Sequence, residues 1–271
     1  MPDLIVVPAR FGSKRLPGKP LVRIAGRTLL ERVAAIARLA AAMAGNCTVV
    51  IATDDQRILD HAAALGCEAV MTATDISSGS GRACAVATAR TPRPRIVVNL
   101  QGDAPFVPPE LVARLLSTAR ASRADCVTPV VRLDWAALDV LRAHKERTPF
   151  SGTTCVRAAD GRALWFSKTI LPAIRDEAAL REAKPVSPIY RHLGLYAYRL
   201  DALERFEATP PAVYERLEGL EQLRFLETGM TVQTVETPSP RHAMSGIDTV
   251  DDVAMAERLI AEHGDPHMSW A

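Results

Sequence analysis

Short apolar runs alternate along the chain with longer amphipathic stretches. The runs cover residues 4–7, 48–52 and 96–100, and each ends at polar or turn-forming residues. Between them, residues 28–42 and 57–65 place apolar side chains three and four positions apart, as in a helix packed along one face. Continuous apolar strands are typical of a parallel sheet covered on both sides. The pattern predicts an α/β fold: a mostly parallel, Rossmann-like sheet with helices on both faces.

The first amphipathic stretch has its own start signal. Thr28 and Glu31 stand in the S/T-x-x-E relation of a capping box, in which each side chain accepts a hydrogen bond from the other residue's backbone amide. We therefore expect a helix that begins directly after Thr28.

The alternation weakens at about residues 132–199, which predicts a hairpin-rich insertion. Residues 153–157 and 163–166 are expected to form short strands around a turn. The prolines of residues 185–188 indicate a loop, and residues 193–198 a following strand. We expect one domain over residues 1–271, with this insertion inside it.

Composition excludes several classes of protein. The 271 residues are 48% hydrophobic and 24% charged, with a net charge of only +2, so a nucleic-acid partner is not expected. The longest apolar stretches fall short of the ~20 residues that cross a bilayer, so no membrane span is expected. Five scattered cysteines without a C-x-x-C pair favour neither a disulfide framework nor a zinc site, and fit a cytoplasmic location.

The loop after the first strand, residues 8–20, carries four cations and two glycines, and the cations are Arg10, Lys14, Arg15 and Lys19. Glycines let backbone amides approach phosphate oxygens, and the cations neutralise their charge. The spacing differs from that of a P-loop. A triphosphate is the ligand that this loop indicates, although Lys14 taken alone is more typical of a solvated surface charge.

Asp103 follows a later buried strand, so it is expected at the same sheet edge as the first loop. A carboxylate there suits Mg²⁺, which usually binds through one or two carboxylates and phosphate oxygens. A turn or capping role for Asp103 is the alternative. Asp248 could equally be read as the start of a helix, with Asp248 or Thr249 as its N-cap.

Five segments together resemble one enzyme family. Residues 8–21, 99–105, 190–198, 220–224 and 246–252 are similar to the motifs of the 3-deoxy-manno-octulosonate (Kdo) cytidylyltransferases. The resemblance extends from Leu4 to about Val253. It implies a Rossmann-like nucleotidyltransferase sheet and a CTP-dependent nucleotidyltransferase that joins CMP to an acidic sugar. It also implies that the insertion at about residues 132–199 serves acceptor binding and dimerisation, so that the protein forms homodimers.

The resemblance also implies roles for particular residues. Catalysis falls to Arg15, Lys19, Asp103 and Asp248, of which Asp103 and Asp248 hold the metal, Mg²⁺. The nucleotide is bound by Pro8, Ala9, Arg10, Ser13, Arg15, Lys19, Thr72, Ser78, Gly79, Arg82 and Asp103. The acceptor is bound by Gln101, His192, Tyr196, Glu221 and Gln222. Because residues alternate along a strand, His192 and Tyr196 are expected on one strand face.

Three positions depart from the family's motifs and leave the acceptor open. Gly81 and Ala104 each stand where the family has a glutamate, and Thr154 stands where it has a lysine. The alternatives to Kdo are another ulosonic acid or a small phosphonate. A protein that binds nucleotide without catalysis is the alternative of another class, but it has no need for both metal carboxylates. A Rossmann dehydrogenase is excluded because no G-x-G-x-x-G follows the first strand.

Overall fold

A computed structural model describes residues 1–13, 15–242, 244 and 246–269. The strands are β1 (Asp3–Ala9), β2 (Arg23–Ile24), β3 (Arg27–Thr28), β4 (Cys47–Thr53), β5 (Ala69–Met71), β6 (Ile96–Asn99), β7 (Cys126–Asp134), β8 (Thr154–Arg157), β9 (Ala163–Ser167), β10 (Val186–His192), β11 (Tyr196–Arg199) and β12 (Val232–Thr237). The helices are α1 (Leu29–Ala44), α2 (Gln56–Ala64), α3 (Gly79–Thr88), α4 (Pro109–Ala121), α5 (Trp135–Arg147), α6 (Glu177–Ala183), α7 (Leu200–Ala208), α8 (Val213–Glu218), α9 (Gln222–Glu227) and α10 (Val250–His263), with 3-10 turns at Lys19–Leu21 and Pro266–Ser269.

The central sheet has the strand order β5-β4-β1-β6-β11-β7-β10-β8-β9, with β12 paired to β7. Strands β5, β4, β1 and β6 are parallel, as the apolar runs predict. From β11 onward the insertion continues the same sheet with antiparallel pairs, among them the predicted hairpin of β8 and β9. The α/β fold is confirmed.

Both faces of the sheet are buried, which explains the continuous apolar strands. In β1, Ile5 and Val7 pack into the core beneath α1 and α4, whereas Leu4 and Val6 pack into the core beneath α3 and α7. Helix α1 begins after Thr28, whose side chain accepts a hydrogen bond from the Glu31 amide at 3.1 Å. The Glu31 carboxylate pairs with Arg27 and not with the Thr28 amide, so only half of the capping box forms. Along the described residues, no helix combines the length and apolar character that crossing a bilayer requires.

The structure corrects one part of the sequence analysis. The expected loop at residues 185–188 is mostly strand, because β10 begins at Val186, and the expected strand at residues 193–198 is interrupted. A turn closed by the Leu195 amide and the Leu193 carbonyl, 2.8 Å apart, separates β10 from β11. His192 and Tyr196 therefore lie on two strands and not along one strand face.

Candidate functional site

A cavity of about 210 Å³ lies beyond the carboxyl ends of β1 and β6, against the N-terminus of α3. This is the sheet edge where ligands bind in open α/β folds. The predicted nucleotide-binding residues in its wall are Pro8, Ala9, Arg10, Ser13, Lys19, Ser78, Gly79, Arg82 and Asp103. Arg15 and Thr72 lie outside the wall. Thr72 hydrogen-bonds Arg82 of the wall, and Arg15 pairs with Asp248, which in turn pairs with Lys19 of the wall.

The cationic loop after β1 is folded back on itself. The Phe11 carbonyl accepts hydrogen bonds from the amides of Ser13 and Gly18, at 2.9 and 3.0 Å. Gly18 has a φ of 67°, a left-handed conformation that glycine adopts without strain. The Arg57 guanidinium lies 3.4 Å from the centre of the Phe11 ring and anchors the loop to α2. Lys14, the remaining cation of this loop, lies outside the described residues.

Asp54 holds two of the predicted nucleotide-binding arginines and is not itself one of the predicted site residues. Its Oδ2 lies 3.2 Å from Arg10 Nε and 2.6 Å from Arg82 Nη2. The Arg82 side chain is fully buried, and burial lowers its pKa, although Asp54 opposes this shift. The signal that could have revealed Asp54 is its position directly after β4, at the same sheet edge as Asp103.

The two expected metal carboxylates converge on one ammonium group. Lys19 Nζ lies 2.8 Å from Asp103 Oδ2 and 3.1 Å from Asp248 Oδ1. Burial by itself lowers the pKa of Lys19, but the attraction of Asp103 and Asp248 outweighs it and the pKa is raised. Arg15 Nη2 reaches Asp248 Oδ2 at 2.8 Å. Two cations and two carboxylates from distant parts of the chain thus form one cluster.

The backbone brings Asp248 beside Asp103. The Ile247 amide donates to the Asp103 carbonyl at 2.9 Å, and Ile247 itself is fully buried. Thr249, not Asp248, is the N-cap of α10, so the Asp248 carboxylate is free to face the cluster. Within the described ranges there is no group of three or more metal-ligating side chains, so the protein offers these two carboxylates.

Gly102 permits the closest backbone approach in the site. A Cβ at this position would lie 2.1 Å from the Pro8 carbonyl oxygen, a separation that real Cβ atoms do not adopt. Because Pro8 is the penultimate residue of β1 and Asp103 follows Gly102, this contact fixes how closely Asp103 approaches the cationic loop. Only glycine fits here.

A second cavity, of about 310 Å³, adjoins the first and shares Gln101 with it. Four of the five predicted acceptor residues are in its wall: Gln101, His192, Tyr196 and Gln222. Glu221 is not in the wall, and its Oε2 accepts a hydrogen bond of 2.9 Å from the Ser80 hydroxyl. Burial raises the pKa of Glu221 and outweighs that hydrogen bond.

His192 is a neutral polar group in this cavity. Its Nε2 lies 2.8 Å from the Thr128 hydroxyl. Burial, together with the nearby charge of Lys168, lowers the pKa of His192 to about 3. The Tyr196 hydroxyl donates to Gln222 Oε1 at 3.2 Å. The ring centres of His192 and Tyr196 are 5.6 Å apart, so the two predicted residues meet across the strand break.

Lys168 and Arg191 also line the second cavity, and sequence reasoning missed both. Neither side-chain cation has a hydrogen bond or salt bridge within the part of the chain that the structure describes. Burial lowers the pKa of each, and for Lys168 the charge of Glu218 opposes the shift. A cavity with two unpaired cations and a neutral histidine suits an anionic ligand.

Comparison with known proteins agrees with this geometry. Residues 4–232 match the family model described as cytidylyltransferase. The chain belongs to the cytidylyltransferase family. This cytidylyltransferase is 41% identical over 268 residues to the 3-deoxy-manno-octulosonate cytidylyltransferase of Maricaulis maris, covering 98% of this chain and 99% of the relative. It is 40% identical to the protein of the same name from Xanthomonas oryzae, covering 95% and 96% of the two chains.

Solved structures extend the likeness of this cytidylyltransferase to three dimensions. A CMP:2-keto-3-deoxy-manno-octonic acid synthetase complexed with CTP superposes with a TM-score of 0.82 at 32% identity, over 97% of this chain and 99% of that one. A 4-diphosphocytidyl-2C-methyl-D-erythritol synthase from Anaerococcus prevotii gives 0.58 at 13% identity, over 96% of each chain. The second likeness shows the fold alone.

Proposed function

We propose that the protein transfers CMP from CTP to Kdo, giving CMP-Kdo and pyrophosphate. The observation that carries this proposal is the pair of adjoining cavities, one lined by phosphate-binding groups and one suited to an acid, which meet at Gln101. Relatives at 40% and 41% identity bear the name of this activity. The related CMP:2-keto-3-deoxy-manno-octonic acid synthetase is complexed with CTP.

The reaction is a direct displacement. The anomeric hydroxyl of Kdo attacks the α-phosphorus and forms a P–O bond. The bond to the bridging oxygen of pyrophosphate breaks, pyrophosphate leaves, and the hydroxyl proton passes to water. Arg10, Arg15 and Lys19 bind the phosphates and neutralise the charge that grows on the leaving pyrophosphate. Gln101, at the junction of the two cavities, orients the reacting ends toward each other.

Asp103 and Asp248 would hold Mg²⁺, and their fit is supported by their convergence on one ammonium group. Carboxylate oxygens are the ligands this ion prefers, and phosphate oxygens of the nucleotide would complete the set. When bound, the ion supplies charge neutralisation at the reacting phosphate. Titration of CTP binding with and without MgCl₂ for the wild type and for Asp248→Asn tests this assignment.

The carboxylate of the acceptor binds Arg191 and Lys168 in this proposal. The two cations lack protein anions as salt-bridge partners in the described ranges, and a guanidinium can hold a carboxylate with two hydrogen bonds. His192, whose pKa of about 3 keeps it neutral, contributes hydrogen bonding and not charge.

Of the three departures from the family's motifs, at Gly81, Ala104 and Thr154, two lie outside the wall of the acceptor cavity. Only Ala104 is in its wall. The Thr154 hydroxyl is turned to the backbone, donating to the Thr169 carbonyl at 2.7 Å. Gly81 lies on α3, where a Cβ would meet the Ser78 hydroxyl at 2.9 Å. The polar lining thus remains largely intact, which favours Kdo over another ulosonic acid, a phosphonate or a role without catalysis.

We further propose a homodimer in a reducing, cytoplasmic setting. Phe150, on the predicted insertion, is 77% exposed, and Tyr214 and Leu217 beside it are 49% and 73% exposed around an open groove. Exposed apolar side chains in one patch are typical of interaction sites. Sedimentation tests this proposal. We expect the wild type to sediment as a dimer and Leu217→Glu to sediment as a monomer.

Pyrophosphate release tests the function directly. The purified protein is mixed with MgCl₂ and CTP, ATP, GTP or UTP, and with Kdo or other small acids. Turnover with CTP and Kdo, at least ten times that with any other pair, is expected. Comparable turnover with ATP contradicts the cytidylyl assignment. A kcat/KM more than about a hundred times higher for another acid contradicts Kdo alone, since that ratio equals ~2.7 kcal/mol of transition-state binding.

A further inference from the structure

Asn99 is a buried polar residue whose hydrogen bonding is incomplete. It ends β6, is 2% exposed, and pairs through its backbone with Val6 on one side and Tyr196 on the other. Its side-chain Oδ1 is buried with no hydrogen-bond partner, and no described residue hydrogen-bonds the carboxamide. Buried polar side-chain atoms nearly always have a partner, so an orphan of this kind calls for a ligand or another specific explanation.

The orphaned carboxamide lies directly behind Gly79, at the edge of the nucleotide cavity, although Asn99 itself is in neither cavity wall. A Cβ built on Gly79 would be 3.2 Å from Asn99 Nδ2, 3.3 Å from Asn99 Oδ1 and 3.5 Å from Gln101 Oε1. Gly79 therefore packs closely against both carboxamides, and a side chain at this position would press on them. Gly79 and Gln101 line the nucleotide cavity, and Gln101 also lines the acceptor cavity.

A second orphan lies nearby on the acceptor side. Gln222 is 4% exposed, and its Nε2 is buried without a partner, although its Oε1 accepts from the Tyr196 hydroxyl. Tyr196 is the backbone neighbour of Asn99, so the two incomplete carboxamides flank the same strand pair. Two orphans around one junction are more readily explained by a shared ligand than by independent packing faults.

We propose that Asn99 is a further binding residue, whose carboxamide hydrogen-bonds a hydroxyl group of the ligand at this junction. A carboxamide both donates and accepts, as a hydroxyl does, so the two groups can satisfy each other. The inference rests on the proposed function, which supplies two hydroxyl-bearing ligands. The hydroxyl belongs either to the ribose of CTP or to the acceptor sugar.

Asn99→Leu tests the proposal, because leucine keeps the branched shape of asparagine and removes both hydrogen-bonding functions. Without ligand, loss of an unsatisfied buried group should leave Tm unchanged or raise it. Ligand binding should weaken about tenfold, the usual value of one net hydrogen bond. Val97→Ala, on the same face of β6 and fully buried, is the control that lowers Tm through core packing and leaves binding unchanged.

Two measurements identify the source of the hydroxyl. Calorimetric titration measures the Kd of CTP and of its 2′- and 3′-deoxy forms. If the ribose is the partner, the wild type binds CTP more tightly than one of the deoxy forms, whereas Asn99→Leu binds the two equally. If the acceptor is the partner, KM for Kdo rises about tenfold at saturating CTP while CTP binding is unchanged. Asn99→Ser serves as a second variant should the leucine fail to fold.

The result that overturns the inference is a variant with a lower Tm and unchanged CTP binding and KM, because Asn99 would then be structural. This failure is distinct from failure of the proposed function. The latter would appear in the wild type as absence of turnover with CTP and Kdo, whereas CTP binding is measured without turnover.

Discussion

Gly102→Ala should separate Asp103 from the cationic loop. The added Cβ would lie 2.1 Å from the Pro8 carbonyl oxygen, whereas ordinary contact begins at 3.4 Å, so about 1.3 Å of overlap must be relieved. The Cβ is fixed to the backbone of residue 102 and the oxygen belongs to the backbone of Pro8, so no side-chain rotation can relieve the overlap. The backbone segment that carries Asp103 must therefore move. A misplacement of ~1 Å in an active site can cost ~100-fold in rate. Strain of this kind in a packed site costs roughly 1–3 kcal/mol of stability.

The assay is pyrophosphate release from CTP and Kdo, together with thermal unfolding. We expect kcat to fall about a hundredfold and Tm to fall by roughly 2–4 °C for each kcal/mol lost. Gly12→Ala is the control for Tm, because a Cβ there meets nothing within 4 Å and should leave Tm unchanged. A Gly102→Ala protein with wild-type kcat and Tm would refute the argument that this close approach positions the carboxylate.

Three further predictions concern charge. Asp103→Asn and Asp248→Asn should each nearly abolish kcat, while the circular dichroism spectrum stays that of the wild type. A near-normal kcat in either variant would show that the aspartate has only a structural role in a turn. Arg191→Met should raise KM for Kdo at least tenfold and leave KM for CTP unchanged, and equal rises in both would contradict carboxylate binding. The pKa of His192 is lowered to about 3 in the folded protein, so as pH falls below ~6.5 only the unfolded chain gains this proton. Denaturant titrations should therefore show wild-type stability falling between pH 7 and pH 5 by ~2 kcal/mol more than that of His192→Gln, and equal losses would contradict a buried neutral imidazole.

The parallel half of the sheet and its nucleotide loop could be predicted because their signals are local. Each apolar run is short, continuous and followed at once by the polar residues of its loop, so fold and site are encoded in the same segments. Asp54 carries the same signal after β4, and what the sequence does not reveal is that one carboxylate meets both Arg10 and Arg82.

The break between β10 and β11 could not be predicted because its cause lies on another strand. Strand β7 pairs with β11 through residues 126–127 and with β10 from residue 130 onward. Between these regions stands Pro129, which has no backbone N–H to donate to a neighbour. The Thr128 hydroxyl instead donates to the Leu195 carbonyl at 2.8 Å. The alternating pattern at residues 193–198 is local, so it cannot indicate an interruption that depends on Thr128 and Pro129.

The charge cluster brings together the two carboxylates proposed to hold Mg²⁺ and two of the cations proposed to bind phosphate. Lys19 and Arg15 neutralise Asp103 and Asp248, so the carboxylates do not repel one another. Arg15 is 66% exposed and Asp248 42% exposed, and an ion pair so open to water contributes at most ~1 kcal/mol. A triphosphate can therefore take Arg15 from Asp248 at small cost. That step leaves Lys19 as the ion-pair partner of Asp248 within the described residues, so the proposed binding of Mg²⁺ at Asp248 is coupled to the binding of the nucleotide.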